Sequence, residues 1–236
     1  MDLGPRDIKA LGPEEMLLRH LAQVLKKHAG DFIGIQEVHH LLSIVELKFP
    51  ELVREVIPKM MSVQKLTEVV KRLVEEDVPI KDFRLILQIL SGIQPEEKDP
   101  VTLTELVRVG LRRTLSHLYS EEGRRLNVVT IEPEIEAVIR KGIQKAGQEC
   151  FLVLPPRQLE ELAYAFKYCL FQIVPRPARS VILTQLELRR YVRKIVEQHL
   201  PLQAVLSYQE LDPKLILNPI GKIAYPLEAE TVAVAQ

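Results

Sequence analysis

The chain of 236 residues is 47% hydrophobic, enough to bury one large core or two small ones, and its 32 basic and 32 acidic residues cancel. Neither sign gathers into a run that would track a phosphate backbone or an anionic membrane surface, which argues against nucleic acid as a partner. No apolar stretch approaches the roughly 20 residues that span a bilayer, and aromatic residues, at 5% with no tryptophan, are too sparse for base-stacking platforms or sugar clefts.

From Pro13 to about Tyr119 the periodicity is helical and prolines punctuate it. Pro13-Glu14-Glu15 opens a first helix with an apolar face of Leu17, Leu21, Val24 and Leu25, and Gly30 can stop it. A second runs from about Ile35 to Lys48 on Leu41, Leu42, Val45 and Leu47 and ends at Phe49-Pro50; a short helix from Glu51 to Ile57 follows. Ser62 caps a helix whose Val63, Leu66, Val69, Val70, Leu73 and Val74 form the most regular stripe in the chain. Beyond Pro79, Phe83, Ile86, Leu87 and Leu90 mark a helix ending near Gly92. A polar loop from Gln94 to Lys98 leads to Asp99-Pro100, cap and first residue of one long helix to about Tyr119. These stripes are too apolar to stand alone in water, so the segments are expected to form one compact bundle.

Glu121 to Arg125 is the expected boundary, because short β-branched runs then alternate with helical periods. Strands are predicted at Leu126 to Ile131, Phe151 to Leu154, Ser180 to Leu183 and Gln203 to Tyr208, with an edge strand at Ile220 to Tyr225. Thr184-Gln185-Leu186-Glu187 reads as a capping box before the helix of Leu188, Val192 and Ile195. The fold class is therefore mixed: an all-α helical bundle followed by a small α/β domain with a largely parallel sheet. Leu227 to Gln236 is weakly patterned and expected to fray.

Chemistry is hard to find. There is no GxGxxG, GxxxxGK[ST] or GxSxG. His39 and His40 point about 100° apart on a helix, and His20 and His28 are also out of phase, so neither pair has the i, i+4 spacing of a zinc helix. Glu75-Glu76-Asp77 and Glu96-Glu97 read as solvated charge at helix ends or in a loop. Cys150 and Cys169, without CxxC spacing, read as buried thiols in a reducing compartment. Met1 to Leu11 has no secretory pattern. No catalytic, cofactor-binding or metal residue is expected, and the chain reads as a non-enzyme that works by surface contact. One alternative is a small α/β enzyme with its site at the carboxyl ends of the strands, near Ile131, Leu154 or Thr184; another is an unrelated helical adaptor.

Asp31-Phe32-Ile33-Gly34-Ile35-Gln36-Glu37-Val38 followed by Leu41-Leu42 resembles the cytoplasmic region of type III secretion export gates, the FHIPEP family. Further segments resemble it in the same order: Phe49-Pro50-Glu51-Leu52-Val53, Val78-Pro79-Ile80-Lys81-Asp82 with Arg84, Glu97-Lys98-Asp99 ahead of Leu106-Val107-Arg108, Glu134-Ile135-Glu136, and Val205-Leu206-Ser207-Tyr208-Gln209-Glu210-Leu211. The Ser207 to Glu210 end and the Pro219 to Ile223 segment resemble a virulence-type member more than a flagellar one. Asn218-Pro219-Ile220-Gly221 faintly resembles the Asn-Pro-Thr-His cleaving turn of another secretion component but lacks its threonine and histidine, so no cleavage is expected.

The resemblance implies an inner-membrane protein whose N-terminal half spans the membrane and whose cytoplasmic half forms a nonameric ring, with this chain lacking the membrane half and starting inside the cytoplasmic one. It implies residues 1–30 as the end of a preceding subdomain, 31–122 as a ring-forming helical subdomain, 123–226 as an α/β subdomain and 227–236 as a flexible tail. Export chaperones, substrates, gatekeepers and ATPase-stalk components are the implied partners, on the cytoplasmic side of the inner membrane, with no cofactor. Glu68, Arg72 and Arg84 are candidates for charged contacts to a neighbouring copy, against the plain reading of a solvated helix face.

Overall fold

In the computed structural model, which describes residues 12–93, 99–121, 123–146, 149–173, 180–201 and 203–225, the first half of the chain is helical. Its helices are α1 (Pro13–Lys27), α2 (Ile35–Glu46), α3 (Pro50–Val56), α4 (Val63–Glu75), α5 (Phe83–Ser91), α6 (Pro100–Gly110) and α7 (Arg112–Tyr119). Side chains satisfy the amides that a helix start leaves open. Ser62 accepts from the Lys65 N–H at 3.3 Å, Asp82 from Leu85 at 3.1 Å, and Asp99 from Val101 and Thr102 at 3.3 and 3.1 Å. Leu66, Val69, Val70 and Leu73 of α4, in helical phase, are wholly buried at the centre of a core to which α2, α3, α5, α6 and α7 all contribute.

Three expectations for this half are corrected. The stripe of α1 does not enter the core: Leu17, Leu21 and Leu25 are 69%, 51% and 50% exposed, because amphipathic spacing says that a face is apolar and not what it will meet. Leu47 is 85% exposed, since it lies two residues, about 200° of helix, beyond the buried Val45. The single helix predicted after Pro100 is two. It breaks at Leu111 (φ −83°, ψ 13°), next to Gly110, a weak helix former whose bare Cα admits Ile89; a Cβ there would sit 2.7 Å from that side chain. The expected loop from Gln94 to Lys98 and tail from Leu227 to Gln236 lie outside the described residues.

The second half holds β1 (Arg125–Ile131), α8 (Pro133–Gly142), β2 (Ile143–Ala146), β3 (Glu149–Leu152), α9 (Pro156–Ile173), β4 (Ser180–Thr184), α10 (Leu186–Glu197), β5 (Ala204–Ser207) and β6 (Ile216–Ile223). The main sheet runs β5-β4-β1-β6, parallel throughout, with Val128 beside Val181 and Ile182 beside Val205. Both faces are covered, as a parallel sheet requires. Val129, Ile131, Ile182 and Val205 pack beneath α8, α9 and α10, while Leu126, Val128, Val181, Leu183 and Leu206 face Tyr119, Leu211 and Leu215.

The run expected to be a strand at Phe151 to Leu154 is not part of that sheet. β3 pairs antiparallel with β2, Gln144 opposite Phe151, because β2 begins where α8 ends and the chain turns back within a few residues, too short a path for a parallel crossover. The capping box at Thr184 is also absent. Thr184 ends β4 and is fully buried, and Gln185 stands at the N-cap without a side-chain bond. The edge strand starts earlier than predicted, at Ile216, and takes in the Asn218-Pro219-Ile220-Gly221 stretch. A register shift opposite Val128/Val129 and the missing N–H of Pro219 blunt this free edge against further pairing.

Truncating Leu87→Ala, at the fully buried centre of α5, is expected to cost about 2–5 kcal/mol, and Asp99→Ala, which removes a cap, about 1 kcal/mol. Urea unfolding at neutral pH checks the ranking, and a larger loss for Asp99→Ala would contradict this account of the core.

Candidate functional surface

Where the two halves meet, two arginines cross in opposite directions. Arg189 of α10 is wholly buried and holds two carboxylates of the helical half: it donates from Nη1 and Nη2 to Glu76 and from Nε and Nη2 to Glu105, with Nε to Glu105 at 2.6 Å. Arg108 of α6 is 2% exposed; its Nε donates to Glu210 at 2.5 Å and its Nη1 lies 3.2 Å from Glu76. Glu210 is also wholly buried and closes the single turn Tyr208–Glu210, accepting from the Ser207 N–H at 2.5 Å and the Ser207 hydroxyl at 3.1 Å. Glu76, just past the end of α4, is thus shared by both arginines.

Burial alone would push the Glu76 carboxyl up, but the Arg189 and Arg108 guanidiniums outweigh it and hold the group at about 2. Burial likewise opposes the charge on Arg189, and Glu76 and Glu105 override it, so the guanidinium stays charged. Two clefts flank this seam. One, of about 280 Å³, runs from Lys26 and Asp77 past Tyr119 to the amino ends of β4 and β5; the other, of about 300 Å³, lies between Arg72 and Asp99 on one side and Phe151, Arg190 and Lys194 on the other. Glu76 and Arg193 border both.

Reading Glu75-Glu76-Asp77 as solvated charge is therefore wrong for Glu76. The available signal was a charge in phase with apolar stripes: Arg108 lies three residues before the buried Leu111, and Arg189 lies three residues before Val192 and seven before Val196 on the buried face of α10. Glu105 and Glu210 carried no such signal as acids, though Ser207 to Glu210 has the spacing of a capping box.

The predicted contact residues have different neighbours. Arg72 donates to Glu68 at 3.1 Å along α4 and borders the larger cleft, whereas Arg84 lies with its guanidinium carbon 4.2 Å from the ring centre of Phe49. Leu47 and Ile44 stand exposed close to Phe49 in the chain, a corner of apolar and cationic character. On the α/β half the largest exposed apolar groups are Phe171, Ile216, Val153 and Phe151.

At the strand ends named for an enzyme site, Ile131 is buried, the Thr184 hydroxyl donates to Glu136 at 2.8 Å, and Leu154 follows β3 outside the parallel sheet. The clefts lie elsewhere, and the smaller one reaches the opposite ends of the strands. His39 and His40 are exposed, and His28 pairs with Asp31 at 3.1 Å. Cys150 and Cys169 are free, half-buried thiols packed on the α/β core. Among the described residues no helix is long and apolar enough to cross a membrane.

The model of the FHIPEP family matches residues 3–215. The chain is 34% identical over 209 residues to low calcium response locus protein D of Yersinia pestis, covering 89% of this chain and 30% of that protein. It superposes on the Chlamydia pneumoniae CdsV protein with a TM-score of 0.81 at 39% identity, over 92% of this chain and 62% of the other. CdsV has also been solved in complex with CdsO. The nonameric EscV cytosolic domain of the type III secretion system is similar at a TM-score of 0.76 and 34% identity, over 89% of this chain and 62% of that one. The chain thus spans under a third of the Yersinia relative's length.

The shared Glu76 makes stability pH-dependent. Its folded pKa lies below its ordinary 4.5, so its contribution is present above that value and is lost as pH falls through about 2. Glu76→Gln is expected to cost about 3 kcal/mol at neutral pH, with the gap to the unaltered protein closing as pH falls from 4.5 toward 2. Urea midpoints measured across that range check it; a gap that does not change with pH would show that Glu76 is not held ionised by the seam.

Proposed function

The chain belongs to the FHIPEP family of type III secretion export gates, and on that premise we propose that it is part of a gate's cytoplasmic region, a non-catalytic scaffold that packs into a ring and receives export cargo. The observation that carries this reading is the shared fold with a relative whose cytosolic domain is nonameric. Residues 1–30 end a preceding subdomain, 31–122 pack the ring and 123–226 dock partners. Chaperone–substrate complexes, gatekeepers and stalk components bind the exposed faces of the α/β half, where Phe151, Val153 and Phe171 present apolar surface. The CdsV–CdsO complex of the Chlamydia relative supports docking of another protein. The ring lies on the cytoplasmic side of the inner membrane, held there by membrane-spanning segments of the full gate protein.

A closed ring of identical copies uses a heterologous contact, one face of each copy against an unlike face of the next. Glu68, Arg72 and Arg84 are assigned to that contact. Arg84, already steadied by Phe49, keeps its guanidinium edges free to meet a neighbour's carboxylate beside the exposed Leu47. Arg72 and Glu68 bring an ion pair that is half-exposed within one copy and gains strength as water is removed.

Reversing the charge, Arg84→Glu, in the gate protein that contains this segment is expected to weaken ring assembly by about tenfold or more with no change in thermal midpoint. Mass photometry of the purified gate gives the share of ring-sized particles. Rings at unaltered abundance would remove Arg84 from the contact, and a gate that stays monomeric at every concentration would overturn ring assembly itself.

A further inference from the structure

Each half of the molecule keeps its own apolar core. That of the helical half is drawn from residues between Val38 and Leu115, that beneath α8, α9 and α10 from residues between Val129 and Ile223, and the two share no member. The apolar cluster on the other sheet face has one packing residue in common with the helical core, Tyr119. The hydrogen bonds and ion pairs that cross between the halves join polar groups. Arg189 reaches Glu76 and Glu105, Arg108 reaches Glu210 and, at 3.5 Å, the Val205 carbonyl, and the Asp212 N–H donates to the Ser116 hydroxyl at 2.8 Å.

The backbone passes from one half to the other once; because Glu121 is bridged back to Arg125, closing the turn that holds Gly123, the link itself is the extended Ser120 (φ −82°, ψ 154°) between the end of α7 and that bridge. Each of the two clefts is bordered by residues of both halves, so space for solvent lies on either side of the ionic seam. One covalent crossing beside a polar seam between two separate cores is the geometry of a hinge and its latch.

We propose that Arg108 and Arg189, with Glu76, Glu105 and Glu210, form a latch whose release lets the helical and α/β halves swing apart about Ser120 as intact bodies. Opening returns five charged groups to water, uncovers the part of the sheet face on which Tyr119 packs, and leaves both cores closed. That is a far smaller change in apolar exposure than unfolding either half. The arrangement is also all-or-none. Glu76 touches both arginines, so losing either pair leaves the other with a poorer counter-charge, and the two release together. The clefts widen in the same motion, because their walls belong to opposite halves.

Native-state hydrogen exchange of the whole chain in rising, sub-denaturing urea tests this. The Asp212 amide reports the seam, and the amides of Leu87 in α5 and Val129 in β1 report the two cores. The expected result is a urea-dependent opening that exposes Asp212 about tenfold or more often than the event that exposes Leu87 or Val129. Glu210→Gln is expected to raise Asp212 exchange by about another tenfold while Leu87 stays within about twofold, with a larger radius of gyration by small-angle scattering. One common opening for all three amides, a core amide released before Asp212, or Asp212 exchange that ignores urea would each overturn the latch. Should Glu210→Gln fail to fold, the urea series on the unaltered protein decides alone.

Discussion

Two arginines buried among three carboxylates set the terms on which the helical and α/β halves meet. Taking such groups out of water is costly, and their mutual attraction offsets the cost only when every charge has a partner in good geometry. Arg189 meets that demand with both edges of its guanidinium, whereas Arg108 donates from Nε to Glu210 and meets Glu76 only as a charge, its Nη1 3.2 Å away but outside hydrogen-bonding geometry. A rotation of one half against the other would leave a buried charge alone. The seam is thus a better device for fixing relative orientation than for adding stability, since apolar residues of the same volume would hold the halves at least as firmly without selecting one register.

Much of the remaining structure serves to place those five groups. The stripe of α4 sinks into the helical core and thereby sets Glu76 at the end of the helix. The break at Leu111 aims α6 so that Arg108 and Glu105 face the α/β half, Glu105 meeting α10, while α7 brings Tyr119 against the sheet. On the other side, the Ser207 bonds hold Glu210 in a tight turn directly after β5, and α10 brings in Arg189 with Leu188 and Val192 anchored beneath. On the proposed reading, such a joint would let ring packing and cargo docking each use one half while their geometry stays coupled.

Where periodicity alone decides, the residues were a sufficient guide. The caps at Ser62 and Asp99, the core stripe of α4 and the strands at Leu126 and Ser180 depend on neighbours within one or two turns, and all appear in the folded chain. The failures have a common origin. Leu17 and Leu21 of α1 announce an apolar face without a counter-surface, Phe151 announces a strand without its partner, and Thr184 announces a cap that the burial of β4 overrules. The candidate contact residues were legible as charges on helix faces, but the stacking of Arg84 on Phe49 joins residues far apart in the chain and left no local trace.

Composition, spacing and the ordered set of short motifs were enough to establish a mixed fold, helices first and a parallel sheet after, and membership of the export-gate family. They were enough because each is a local or collinear property. Which acids are buried was settled elsewhere. Glu76 looks like its neighbours Glu75 and Asp77 until Arg189, more than a hundred residues away, arrives beside it. A charge becomes structural only when a partner removes its water, and that partner is supplied by tertiary packing.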